Sequence, residues 1–246
     1  MSRSVKLGAA PQRPTFCSRT LDSYCDKNHR ARRIAISAPL EPDGRRQRSL
    51  RTRARIIDAA ADLFVENGYL ATTIEAVATS AGVAEQTVYY VFGTKRNLLA
   101  AVLDVRIAGD VEPVPVLERP WFETFAAAPD AASAVELLVQ GAVGIVARTA
   151  AIYEVLRRAA ADPEVGELLS GNRRARRVDQ RRLIEMLEDA GKLRPGLDVD
   201  DAADVFYAVM NEEVFHLLVT DCGWDVERFR RWATSLMIDQ LVESKA

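Results

Sequence analysis

Cysteine and histidine are nearly absent from this 246-residue sequence, with three of the first and two of the second. Cys17, Cys25 and Cys222 cannot build a disulfide framework. Cys17, Cys25 and His29 fit no common finger spacing and lack a fourth ligand, so no metal and no cofactor are expected. Glycine (13) and proline (10) are sparse, which argues against an all-β chain punctuated by frequent turns. No stretch approaches the ~18 uninterrupted apolar residues of a membrane span. The N-terminus lacks the charged-then-apolar pattern of a signal peptide. A soluble cytoplasmic protein with no membrane partner is therefore expected. Gly-rich phosphate loops and G-x-S-x-G are missing as well. Glu213-x-x-His216 has the spacing of di-iron helical bundles, but such a site needs two copies. The second histidine, His29, lies far away near the N-terminus, so no catalytic role is expected.

What is present is apolar residues (48%) and an uneven distribution of charge. Residues 1–48 hold 11 Lys/Arg and 4 Asp/Glu, a net of +7, and residues 108–246 hold 16 and 25, a net of −9. A basic end joined to an acidic body points to a polyanionic partner at one end only.

Residues 1–47 show no sustained apolar period and read as a disordered basic arm. From Arg45 the sequence carries Arg45, Arg46, Arg48, Arg51, Arg53 and Arg55 with no acid between them. It then enters a helix in which Ile56, Ala59, Ala60, Leu63 and Phe64 share one face, ending at Gly68. A second helix is capped by Thr73, a third short one spans about Ala84–Tyr90, and a fourth is capped by Thr94. Gly82 and small neighbours form the sharp turn between the second and third, the spacing of a helix-turn-helix. Prolines from Pro113 to Pro120 read as a linker. Beyond them the pattern is again helical: residues 131–160 with a possible break near Arg148–Ala150, a helix ending at Gly191, an apolar helix from Asp198 or Asp200 to about Asp221, and a last one from about Asp225 to Val242. The fold class is all-α.

The run from Arg53 to Asp104 resembles the TetR family of transcriptional repressors. It carries Ala60–Leu63–Phe64–Gly68–Tyr69, Thr72–Thr73–Ile74, Ala81–Gly82–Val83, Thr87 with Tyr89, and Phe92 to Lys95 at the family's spacing. The resemblance implies a helix-turn-helix domain over residues 48–108, with the motif at about 71–90, and a helical effector-binding and dimerisation domain over 109–246. It makes the third helix the one that reads base edges in the major groove, with Glu85, Gln86 and Thr87 as readers. Tyr89, Tyr90, Thr73 and Lys95 are then expected at phosphates, and the arginine run (Arg45, Arg46, Arg48, Arg51) at the backbone or minor groove. Glu85 is acidic where the family often carries a small, polar or basic residue, and Gln86 stands where many members have glycine. Glu85 can accept from cytosine, or repel phosphate and face away, and Gln86 can pair with adenine.

The same resemblance implies a homodimer and a small-molecule effector. Phe229, Trp232, Ala233, Leu236 and Met237 recur at helical spacing in the last helix and are the expected dimer interface. Asn211, Glu212, Glu213 and His216 interrupt an apolar helix and, with Trp121, Phe122, Phe125, Arg148 and Tyr153, are the expected ligand contacts. The function implied is sequence-specific DNA binding by a repressor that a small ligand releases from its operator. The alternatives are a helical ligand-binding enzyme, or an adaptor with a basic tail that binds membrane or protein.

Overall fold

A computed structural model describes residues 43–110, 124–125 and 127–242. The expected disorder of residues 1–42, the linker, Trp121 and Phe122 all lie outside the described residues. From Gly44 onward the chain is one compact unit, and the described residues contain helices and no strand.

The first helix, α1 (Asp43–Ala71), starts before the expected end of the arm at residue 47, so Arg46 and Arg48 are helical. Gly68 interrupts it at φ 77°, the left-handed conformation that glycine adopts without strain. Thr72 closes the corner: its buried hydroxyl lies 2.8 Å from the Gly68 carbonyl and 3.0 Å from that of Leu63, with one proton to give to either. α2 (Ile74–Ala81) is capped by Thr73, whose side chain accepts from Ala76 N at 3.1 Å. α3 runs Glu85–Phe92, two residues further than expected. α4 (Lys95–Ala108) is capped by Thr94, which accepts from Asn97 N.

α5 (Ala131–Arg158) is a single helix without the break expected near Arg148–Ala150. Thr149 fits mid-helix because its hydroxyl lies 2.9 Å from the Ile145 carbonyl and 3.0 Å from Glu212 Oε1, with one proton to give to either. By length and a mean hydropathy of 1.5, α5 is apolar enough to cross a membrane. Here it is the central strut of the fold, burying Val135, Leu138, Val139, Val143, Ile152 and Leu156. α6 (Pro163–Asp189) starts with Asp162 as cap and proline in its first turn.

The apolar segment expected to run unbroken to Asp221 is three pieces. α7 (Val199–Val209) stops at Met210, and Asn211 caps a four-residue α8 (Glu212–Phe215). A π-helical turn then spans His216–Asp221. The restart follows from Asn211, whose side chain accepts from Val214 N at 2.8 Å and so competes with helix continuation. α9 (Val226–Leu241) begins where expected, with Asp225 as its cap.

There are two hydrophobic cores. The first joins α1–α4 to Ile152, Tyr153, Val155, Leu156 and Ala159 of α5 and to Val165 and Leu169 of α6. The second joins the first half of α5 and Leu183, Ile184 and Leu187 of α6 to α7, Phe215 and α9. α5 and α6 therefore traverse both, and polar side chains fill the seam between. Glu212 is buried there, 3.0 Å from Thr149 Oγ1 and accepting from the Arg176 guanidinium. Arg173 donates to the Tyr153 hydroxyl at 2.8 Å and to Glu213 at 2.6 Å. Arg176 also lies over the rings of Tyr153 and Tyr207. Burial is the largest single influence and lowers the Arg176 pKa, but the Glu212 carboxylate together with Tyr207 and Tyr153 outweighs it and the net direction is up.

Breaking a buried ion pair from one side leaves the other charge unmatched, at a cost of about 3–5 kcal/mol. Glu212→Ala should therefore lower the unfolding free energy in a denaturant titration by about that much. Arg177→Ala breaks the exposed pair with Asp204 and should cost about 0–1 kcal/mol.

Candidate nucleic-acid interface and ligand cleft

Only two side chains of α3, Val88 and Phe92, are buried. They anchor the helix against the first core and turn its other face to solvent. Glu85 and Gln86 are exposed on that face, Tyr89 is half exposed and Tyr90 is 92% exposed. Thr87 is half-buried, its amide donating to Ala84 O. α2 and α3 meet across Gly82–Ala84. Gly82 takes φ 62°, and the amide of Val83 returns to Ala78 O at 3.0 Å. This geometry lets α3 enter a major groove while α2 lies across it.

The arginine run divides in two. Arg46, Arg48 and Arg51 are exposed on the first turns of α1. Arg45 has no described side chain. Arg53 stacks over the Phe92 ring at 4.8 Å, and Arg55, although exposed, donates to the carbonyls of Ala81 and Gly82. Arg46, Arg48 and Arg51 thus remain on the surface without a contact to another element, where a phosphate backbone can reach them.

Lys95 is a correction. The residue expected at a phosphate points its ammonium at three carbonyls of its own domain, those of Tyr69 (2.9 Å), Thr72 (3.1 Å) and Leu70 (3.4 Å), and packs on the Tyr69 ring. An ammonium has three protons, so the group is fully engaged. The sequence reading missed it, and missed the contacts of Arg55, because the carbonyls they meet lie 23–27 positions away in the chain.

Residues 56–102 match the sequence model for bacterial regulatory proteins of the tetR family. Over these residues the chain is similar to the tetR family's DNA-binding region. Two curated relatives, both from Pseudomonas putida, are 40% identical over 83 residues, or 32% of this chain. They are the HTH-type transcriptional regulator SrpR, of which the match covers 39%, and the uncharacterized HTH-type transcriptional regulator TtgW, of which it covers 62%. The matched region thus covers less than two thirds of either relative. Among solved structures, a SmeT–triclosan complex superposes with a TM-score of 0.61 at 23% identity, covering 79% of this chain and 93% of that one. This shows a shared fold beyond the DNA-binding region.

The expected ligand contacts separate. Tyr153, Glu212 and Glu213 do come together, but as the seam network with Arg173 and Arg176 rather than around an opening. Phe125 is buried in the second core and Asn211 is a helix cap. Arg148 donates to the carbonyls of Arg106 and Ile107 at the end of α4. His216 lies 3.6 Å from Asp221, while Glu213 is paired with Arg173. Among the described residues no group of three or more His, Cys, Asp or Glu could hold a metal.

An open cleft of about 710 Å³ lies between the end of α1 (Phe64–Ala71), the small-residue face of α5 (Ala147, Ala150, Ala151) and His216 and Thr220 of the π-helical turn. Val65 and Leu70 expose apolar surface into it. Of the expected ligand residues that are described, His216 alone lines it. A smaller cleft of about 260 Å³ adjoins it beside Arg106 and Arg148.

The expected dimer residues also divide. Phe229, Ala233 and Met237 are fully buried in the chain's own second core and cannot meet a partner. Their helical spacing signals a buried face without saying what covers it. Trp232 and Leu236 are half-buried at the edge, where Trp232 meets Trp224 edge-on. Leu217 and Val226 are exposed nearby.

The exposed residues give distinguishable outcomes on DNA. Gln86→Ala should change preference at one base pair, by about 1–3 kcal/mol. Arg48→Ala should weaken every duplex alike and reduce the salt slope of binding by about 0.9. Fluorescence anisotropy on selected and scrambled duplexes across a salt series reads both.

Proposed function

We propose that this chain is a ligand-released transcriptional repressor that binds operator DNA as a homodimer. Residues 48–108 act as the DNA-binding domain, and residues 109–246 as the effector and dimerisation domain. The observation that carries the reading is α3 itself: it is anchored by Val88 and Phe92 and exposes Glu85, Gln86, Tyr89 and Tyr90 beside the arginine face of α1. The names of the relatives support regulation of transcription. Operator DNA places the site of action in the cytoplasm.

The second copy is assigned to the surface of Leu217, Val226, Trp232 and Leu236. This surface continues the second core outward, and a dimer needs an apolar patch that folding leaves uncovered. The effector is a small, largely apolar molecule, and the cleft between α1, α5 and the π-helical turn is its seat. A SmeT structure holds triclosan, a small molecule of that kind, and the cleft volume falls in the range of drug-sized sites. Ligand there presses on the last turns of α1, which lead directly into α2. Two recognition helices must match half-sites about 34–36 Å apart, so a ligand favouring a wrongly spaced dimer depopulates the DNA-competent form. A coupling of about 1–3 kcal/mol gives a roughly 5–150-fold change in operator affinity.

Selection from a random duplex library should return one preferred, near-palindromic site. A wild-type protein that enriches no sequence would refute the reading. Leu217→Glu combined with Val226→Glu should convert dimer to monomer in light scattering and lower operator affinity. A ligand identified by thermal shift should release DNA from the wild type but not from Ala151→Trp, whose indole fills the cleft.

A further inference from the structure

We propose that Arg55 and Lys95 are positioning residues for the recognition helix, holding the two ends of α2 from α1 and α4 rather than touching DNA. This consequence for DNA reading rests on the function proposed above, whereas the clamping does not. Lys95, the first residue of α4, donates to Tyr69 O, Leu70 O and Thr72 O, the corner through which the chain enters α2. Arg55 of α1 donates to Ala81 O and, at 3.1 Å, to Gly82 O, where the chain leaves α2. Both cations therefore meet the carbonyl ends of helices, where the backbone dipole is negative and a positive charge is favourable.

The clamps matter because α2 and α3 are short. Each has eight residues, fewer than the roughly 12–15 at which a helix becomes even marginally stable alone. α3 begins at Ala84 without a side-chain cap, so its starting direction is set by the turn that Arg55 grips. The contact is close enough that a Cβ on Gly82 would lie 2.9 Å from the Arg55 guanidinium. With both clamps in place, the angle of α3 to the rest of the domain is over-determined. Without one, α3 stays amphipathic and present but loses its fixed approach to the groove.

A phosphate contact and a clamp leave different marks. Losing a phosphate contact reduces the salt slope by about 0.9 and weakens all sequences. Losing a clamp leaves that slope alone and removes discrimination, because base contacts depend on alignment. The experiment compares wild type, Arg55→Gln, Lys95→Met and the conservative Arg55→Lys, with Arg48→Ala as the phosphate control. The probes are a duplex selected from a random library by the wild type and a scrambled duplex of equal length. Arg55→Gln and Lys95→Met should lose about 10- to 100-fold on the selected duplex, the size of one or two base contacts. They should keep wild-type binding and salt slope on the scrambled one, and Arg55→Lys should recover most of the loss. Salt slopes lowered as in Arg48→Ala, with equal losses on both duplexes, would overturn the proposal. Hydrogen exchange on the DNA-free proteins is a second readout. Amides of residues 73–92 should exchange faster in both variants while those buried in α1 and α4 stay protected. Unchanged protection there also overturns it. A wild type that selects no duplex instead refutes the DNA-binding reading, and the exchange result then decides the clamps alone.

Discussion

The buried carboxylate of Glu212 is the contact on which the arrangement of the two cores turns. α5 and α6 each run through both cores, so the point where they pass from one to the other must satisfy helices on both sides. Thr149, Tyr153, Arg173 and Arg176 occupy that point, and the break between α7 and α8 brings Glu212 and Glu213 to meet them. A buried charge tolerates little rearrangement, because any motion that separates Glu212 from Arg176 leaves both unmatched in a poorly solvated place. The seam therefore makes α5, α6 and the α7–α8 break move together or not at all.

That rigidity matters at the other end of the same helices. The last turns of α5 pack under α1 to α4 in the first core, while the cleft opens between α5 and the final turns of α1. The π-helical turn that follows Glu212 and Glu213 forms part of the cleft wall through His216 and Thr220. π-Helical turns inside longer helices concentrate at functional positions. The cleft thus borders both the network that ties the cores together and the segment that leads into α2.

Most of the fold was legible from local chemistry. Thr73 and Thr94 were readable as caps because a short polar side chain before an apolar run satisfies free amides nearby. Gly68 and Gly82 were readable as stops because left-handed backbone favours glycine. The exposed face of α3 was readable too, since Val88 and Phe92 leave the rest of an eight-residue helix to solvent. The partners of Lys95 and Arg55, the covering of Phe229, Ala233 and Met237, and the bonding of Tyr153 and Glu212 were not. In each case the deciding atoms come from a distant part of the chain, and periodicity marks a face as apolar or charged without naming what meets it.

The sequence by itself determined an all-α chain, the helix-turn-helix, its caps and glycine stops, and the basic-to-acidic division, because these depend on residues within a turn or two of each other. Only the tertiary structure decided which charges look outward. Arg46, Arg48 and Arg51 face solvent on the first turns of α1, where Arg48 reaches no further than the Gly44 carbonyl of its own helix. Lys95 and the still exposed Arg55 are drawn to distant carbonyls because packing α1 and α4 against α2 brings helix-terminal carbonyls within hydrogen-bond range of their side chains.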